Sequence, residues 1–327
     1  MTTICVDAMG GDERPEVVLE GIARALEADS DLEVLVAGNE EVVQPFCASH
    51  TKARALVTTE VIGMAEHPAE AVRTKTDSSI VRACEAVRAG EADGFFSAGS
   101  TGAMLVASTL KVGRIKGVKR PAIAVAFPAA AGREKVVLDL GANADCRPEV
   151  IVQFARMGAA YAHVALGIEN ARVALLSNGS EDTKGSETVI SYHEALAAAD
   201  CGFVGNCEGN DLLMGDFDVI VCDGFTGNIA LKTIEGTAKY LIGRLRNAAN
   251  ESKRYLLGAG LLKPAVKDIA KDLSGDAHGG AILLGLKAPV LIGHGATSAT
   301  AVMNGTLATA AAVRNGLVER IAAYIAS

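Results

Sequence analysis

The chain has 327 residues, half of them hydrophobic, with 35 glycines, 4% aromatic residues and no tryptophan. This is enough for a large core, whether in one α/β unit or in two lobes. Lysine and arginine total 31 against 39 aspartates and glutamates, a formal net charge of -8, which excludes a general nucleic-acid binder, whose footprint is basic.

In chain order one unit recurs: an aliphatic run, a glycine-containing turn, then a helical stretch. "TICVDAMGG" runs into "PEVVLEGIARALEA", "LEVLVAGN" into "EEVVQPFCASH", and "GFFSAGSTG" into "AMLVASTLKV". Further on, "KVVLDLGAN" leads into "PEVIVQFARMGAAYAHVAL" and "RVALLSNGS" into "SETVISYHEALAAA". "DVIVCDGFTGN" then leads into "IALKTIEGTAKYLIGRLRNAA", and "APVLIGHGATS" into "ATAVMNGTLATAAAVRN". Residues 123–129 and 201–209 read as additional strands. Strand runs that are apolar at nearly every position, alternating with helices, predict a doubly wound α/β fold. The same pattern predicts a mostly parallel sheet with helices on both faces and a single α/β unit over residues 1–327.

Asp12 is placed to cap the first helix, with Pro15 in its first turn, and Asp77 to cap "SSIVRACEAVRAG", which Gly90 closes. The seven cysteines form no C-x-x-C pair or zinc-like cluster. Their odd number fits reduced thiols, and Cys5 and Cys222 lie in apolar strand-like runs, where a thiol acts as a small hydrophobe. The sequence opens on a strand-like run, so no leader is expected, and no apolar run reaches the roughly 18 residues of a membrane span. A cytoplasmic protein is expected.

One stretch breaks the pattern. In "KRYLLGAGLLKPAVKDIAKDLSGDAHGG", residues 253–280, Leu256, Leu257, Leu261 and Leu262 crowd around Gly258 and Gly260, and Pro264 opens a short helix. Leu262, Val266, Ile269 and Leu273 share one side of that helix, with lysines elsewhere. This Leu-rich amphipathic hairpin reads as an element packed on the body or a second subunit, or as a lipid-facing one.

Five turns are dressed alike, with glycine beside a hydroxyl or an amide just ahead of a helix: "SAGSTG", "LGAN", "SNGS", "DGFTGN" and "GHGATS". Free N–H groups suit an anion there, and glycine lets the backbone come close. In open α/β sheets such turns gather beyond the carboxyl ends of the strands. Together they point to a phosphate-bearing or oxyanionic substrate held by Ser100, Thr101, Gly102, Asn143 and Gly227, with Arg73, Lys75 and Lys184 as cations. Asn228 can donate two N–H bonds to an oxyanion. His294 is either a general acid or base or a capping donor. Asp7 reads as an orienting acceptor. The chain has no Walker A loop, no dinucleotide fingerprint after its first strand, no nucleophile elbow and no H-x-x-x-x-D acyltransferase motif.

The ordered set "VDAMGGD", "AVRTKTDSS", "SAGSTGA", "VVLDLGAN", "KGSE", "VCDGFTGN", "LLKPAVK" and "GLKAPVLIGHG" resembles the bacterial phosphate acyltransferase family of phospholipid synthesis (PlsX) from about residue 3 to about residue 314. The resemblance implies a fold like that of isocitrate and isopropylmalate dehydrogenases and phosphotransacetylase. It also implies a homodimer, peripheral contact with the inner face of the membrane, and transfer of a fatty acyl group from acyl carrier protein to inorganic phosphate. It carries the family's implicated lysine onto Lys184 and asparagine onto Asn228, and its membrane-contacting region onto residues 256–269, with Leu256, Leu257, Leu261, Leu262, Val266 and Ile269 facing lipid. "HGATSATAV" replaces the family's usual "HGSSDARA", so the last loop lacks an acid and a base.

On this reading phosphate attacks the thioester directly, without metal or cofactor. Lys184 balances phosphate charge, Asn228 supports the oxyanion, and Asp223 holds a neighbouring side chain in place. The basic tract Lys111, Arg114, Lys116, Lys119 and Arg120 would dock the acidic carrier protein, with Arg244, Arg246, Lys253 and Arg254 as a rival patch. The alternatives are a phosphotransacetylase acting on short acyl-CoA and a metal-dependent hydroxy-acid dehydrogenase of the same fold.

Overall fold

In a computed structural model the fold is organised by an 11-stranded sheet. The structure describes residues 1–12, 14–129, 133–273, 279–295 and 298–326, and only the backbone of residues 253 and 267–273. The strands are β1 (Thr2–Asp7), β2 (Leu32–Gly38), β3 (Ala53–Val57), β4 (Gly94–Ser97), β5 (Ala122–Pro128) and β6 (Glu134–Leu138), then β7 (Val173–Leu176), β8 (Phe203–Cys207), β9 (Val219–Val221), β10 (Ala281–Leu284) and β11 (Val290–Ile292). Their order is β3-β2-β1-β4-β11-β10-β5-β6-β9-β7-β8.

The sheet is two parallel blocks of opposite sense. Strands β3, β2, β1, β4 and β11 run together, as do β6, β9, β7 and β8. Between them β10 and β5 are paired antiparallel on both sides, which reverses the sense of the second block. The registers make this reversal useful. Val221 pairs Leu138, Leu138 pairs Ala124, and Ala124 pairs Ile282. Ile282 pairs Leu291, Leu291 pairs Phe96, and Phe96 pairs Val6. Along this single row each block presents the last or next-to-last residue of its strands, so turns from both blocks start side by side.

The near-continuous apolar strands are buried on both faces, as a doubly covered parallel sheet requires. One face is covered by α1 (Glu16–Ala28), α2 (Glu40–Ser49), α6 (Pro148–Leu166), α7 (Glu187–Ala197), α11 (Ala299–Arg314) and α12 (Leu317–Ala326). The other carries α3 (Pro68–Thr74), α4 (Ser79–Ala89), α5 (Thr101–Ala107), α8 (Asp211–Met214) and α9 (Gly224–Ala249), with α10 (Lys253–Leu273) packed on α9. Helix α1 shows how the pattern works: Val18, Gly21, Ile22 and Ala25 are buried at helical spacing while its charged residues face out. Buried Lys135 is satisfied by the Asp211 and Gly215 carbonyls at 2.8 and 2.5 Å, so its charge caps the end of α8.

Three sequence expectations change. Asp12 does not cap α1, which starts at Glu16 after Pro15; its N–H instead donates to the Gly295 carbonyl at 2.9 Å. Asp77 does not cap α4, whose N-cap is Ser78; its carboxylate holds Thr59 and Arg82. Pro264 does not open a helix but lies inside α10, which is continuous to Leu273, so the helical hairpin is α9 with α10. Pro264 removes one backbone donor, and Leu257 and Leu261, four residues apart, keep a common face across the glycines. Residues 274–278 of the expected hairpin lie outside the described residues. The αL cap at Gly90 is present, at φ 78°.

Candidate active site

A cavity of about 520 Å³ opens where the two blocks meet. Its apolar floor is β5, through Ile123, Val125 and Phe127, which share one face of the strand. The first block contributes Asp12, Gly99, Thr101 and His294; the second contributes Gly141 and, from α9, Asn228, Leu231, Lys232 and Glu235. A separate hollow of about 620 Å³, lined by Glu134, Leu166, Phe217 and Asp218 at the amino ends of β6 and β9, contains none of these turns.

Buried carboxylates build the rim. Asp7 Oδ2 accepts the Ser97 hydroxyl at 2.7 Å, Ser97 Oγ accepts the Gly99 N–H at 2.9 Å, and Asp7 Oδ1 accepts the Met9 N–H at 2.9 Å. This relay ties the turn after β1 to the turn after β4. Gly10 is required between them, because a Cβ there would stand 2.8 Å from both the Gly99 nitrogen and Ser97 Oγ. Ser100 Oγ then caps α5 through the Ala103 N–H.

Across the cavity Asp139 does the same for the second block. It accepts the N–H groups of Ile123, Gly141, Ala142 and Asn143 at 3.0, 3.2, 2.9 and 2.8 Å, and the Asn143 amide at 2.8 Å. Burial raises the proton affinity of both Asp7 and Asp139, and the hydrogen bonds pull it part of the way back. Gly227 lets the first turn of α9 sit against the Asp139 carbonyl, which any side chain there would overlap. Asp223 caps α9 through the Thr226 N–H at 2.8 Å and its hydroxyl at 3.0 Å. The Asn228 side chain thereby comes up beside Gly141.

Of the residues expected from sequence, Thr101, Asn228 and His294 share the cavity wall. Ser100, Asn143, Asp223 and Gly227 lie immediately behind it; the Asn143 amide is engaged by Asp139 and by the Pro121 carbonyl at 2.8 Å. Gly102 packs on the Pro68 ring. Arg73 is exposed at the end of α3, and Lys75 is bonded to Glu66 at 2.7 Å and to the Val61 carbonyl at 2.8 Å. Lys184 is exposed in the turn after β7, on the same sheet edge as Asn228 but outside the cavity lining. Ala296 and Thr297 of "GHGATS" lie outside the described residues.

Sequence reasoning passed over Asp12 as a wall residue, Asp139 as the organiser of "LGAN", and Lys232 with Glu235. Lys232 was legible, since it stands four residues after Asn228 on one helix face. In the basic tract Lys111 pairs with Glu85 at 2.7 Å and Lys119 with Glu149 at 3.1 Å, while Arg114 donates to the Lys119 carbonyl. Lys116, Arg120, Arg244, Arg246 and Arg254 are exposed. Leu257 and Leu261 of α10 are 70% and 77% exposed, with Leu256 and Leu262 similarly open and Val266 half-buried; the Ile269 side chain lies outside the described residues. No described helix is long and apolar enough to cross a membrane. Among the described residues, no group of three or more His, Cys, Asp or Glu is placed to hold a metal.

The profile of the family described as "Fatty acid synthesis protein" matches residues 2–320. A protein named phosphate acyltransferase from Limosilactobacillus fermentum is 47% identical, covering 88% of this chain and 85% of its own. One of the same name from Leuconostoc mesenteroides is 44% identical, covering 99% and 96%. Among solved structures, a phosphotransacetylase from Streptococcus pyogenes superposes with a TM-score of 0.62 at 17% identity, over 96% of this chain and 94% of its own. A branched-chain phosphotransacylase from Enterococcus faecalis gives 0.60 at 15% identity, over 98% and 99%. At those identities the likeness is one of fold.

Proposed function

The chain belongs to the fatty acid synthesis protein family and is a phosphate acyltransferase, and from that premise we propose that its cavity transfers a long-chain acyl group from acyl carrier protein to inorganic phosphate. The observation that carries this reading is the meeting of the "SAGSTG" turn with Asn228 across the apolar floor of β5. Backbone donors suit phosphate, a side-chain amide suits a developing oxyanion, and an apolar strand face suits an alkyl chain.

The thioester carbonyl is already activated, so the protein supplies mainly position and charge. A phosphate oxygen bonds to the carbonyl carbon, the Asn228 amide donates to the resulting oxyanion, and the C–S bond breaks. The phosphate gives up its proton to the departing thiolate, which leaves acyl phosphate and free carrier thiol. Ser100, Thr101 and Gly102 shape the phosphate side, with Arg73 and Lys75 flanking it; Asn143, Asp223 and Gly227 hold the Asn228 side. Lys184 adds positive charge from the neighbouring turn, and His294 offers a proton donor or acceptor at the rim.

The exposed leucines of α10, with Val266 and Ile269, are proposed to face a membrane surface. The protein would work as a homodimer, peripherally on the inner face of the cytoplasmic membrane. Such a run of open leucines is costly in water and marks a contact surface. The acidic carrier protein docks on exposed basic residues such as Lys116 and Arg120.

The test is to incubate the purified protein with palmitoyl carrier protein and phosphate and trap acyl phosphate with hydroxylamine. Hydroxamate that forms from the carrier substrate only when both protein and phosphate are present supports the reading. Product from acetyl-CoA alone would replace it with a short-chain phosphotransacetylase.

A further inference from the structure

A phosphate entering this cavity meets two carboxylates, Asp12 and Glu235. Its own negative charge needs a cation in the wall, at contact distance, because attraction across intervening solvent is screened. Among the described lining residues Lys232 is the one lysine or arginine. It stands four residues after Asn228 on α9, on the same helix face, where neighbouring side chains lie about 5–6 Å apart at Cβ. Its ammonium is held 2.9 Å from Glu235 Oε2, one turn further along. Lys232 is more than half exposed, whereas the Glu235 side chain is 19% exposed, so Glu235 is the fixed partner and the lysine the movable one.

We propose that Lys232 is the residue that takes the charge of the phosphate. Asn228 and Lys232 then divide the transition state between two successive turns of α9, the amide on the carbonyl oxygen and the ammonium on the phosphate. Glu235 holds the ammonium until phosphate arrives and so competes with phosphate for it. This deepens the phosphate acyltransferase reading and rests on it. It separates the cavity cation from Lys184, whose turn stands outside the lining.

The experiment compares Lys232→Met, Lys232→Arg, Glu235→Gln and Lys184→Met with the parent protein, after matching melting curves establish that each is folded. Initial rates of acyl phosphate formation are measured against inorganic phosphate and, separately, against acyl carrier protein. Lys232→Met is expected to raise the KM for phosphate about tenfold or more, the loss of one charge-assisted hydrogen bond. Its KM for acyl carrier protein should stay within about twofold, and Lys232→Arg should recover most of the phosphate affinity. Glu235→Gln should change phosphate KM in the direction of tighter binding, since it removes a competing anion. A phosphate KM within about twofold of the parent in Lys232→Met would overturn the inference, as would a rise confined to Lys184→Met. Should the parent form no acyl phosphate from any thioester, the reading above fails. Equilibrium dialysis of radiolabelled inorganic phosphate against parent and Lys232→Met then decides the cation assignment without turnover.

Discussion

Replacing Asp139 by asparagine probes how the second half of the site is held. The Asp139 carboxylate is fully buried and accepts five hydrogen bonds: three on Oδ1, from Ile123, Gly141 and Ala142, and two on Oδ2, from the Asn143 backbone and amide. An asparagine keeps its oxygen best on the three-donor side, which turns its NH₂ toward two donors. Two charge-assisted bonds are lost, at roughly 1.5–3 kcal/mol each. The relief of no longer burying a charge offsets part of this, leaving a net loss of roughly 2–4 kcal/mol. For a chain of this size that is a fall in melting temperature of about 3–6 °C. Scanning calorimetry or circular dichroism reads it directly, and activity should drop further than stability, because Gly141 and Asn228 share the wall. A variant that melts within about 1 °C of the parent and keeps its rate would refute the claim that Asp139 organises this turn.

Other consequences can be checked with equal economy. Truncating Asn228 to alanine should leave the melting temperature unchanged and lower kcat roughly 100- to 1000-fold, the usual cost of one oxyanion donor; steady-state kinetics decides. Asp7 is buried with its proton affinity raised by desolvation. A raised carboxyl contributes stability below the unfolded pKa and loses it as pH rises through the folded one. The Asp7 contribution to stability should therefore fall as pH climbs above about 4, the range of a free carboxyl, and Asp7→Asn should flatten that slope in urea titrations across pH. Changing Leu257 and Leu261 to glutamate should abolish sedimentation with anionic lipid vesicles without altering the melting temperature, since both are open to solvent.

The α/β class was readable because buried parallel strands carry apolar residues at almost every position, and "KVVLDL" or "DVIVCD" has no other economical interpretation. The reversal of sense across β10 and β5 was not readable. A strand such as "AILL" is equally apolar in either direction, and β10 and β5 pair over 150 residues apart. Caps were read with uneven success. Gly90 closes its helix as expected, but Asp12 and Asp77 find partners from distant loops that no local pattern announces. In the site, the turns were legible from glycine and hydroxyl content. The floor was hidden in the alternation of Ile123, Val125 and Phe127, whereas Lys232 is legible from its place four residues after Asn228 on one helix. The Leu-rich segment stands out in the sequence, but its shape does not: Pro264 suggests a helix start, whereas the helix runs through it.

The account stands on the claim that phosphate and acyl chain meet in the cavity between the two blocks. A crystal structure with a 2-oxoalkyl phosphonate, the stable methylene counterpart of the acyl phosphate product, addresses that claim most directly. The expected density has the phosphonate between Thr101 and Lys232, the carbonyl oxygen at Asn228, and the alkyl chain along Val125 and Phe127. A phosphonate bound at the Lys184 turn or on the outer surface, with the β5 face bare, would contradict it.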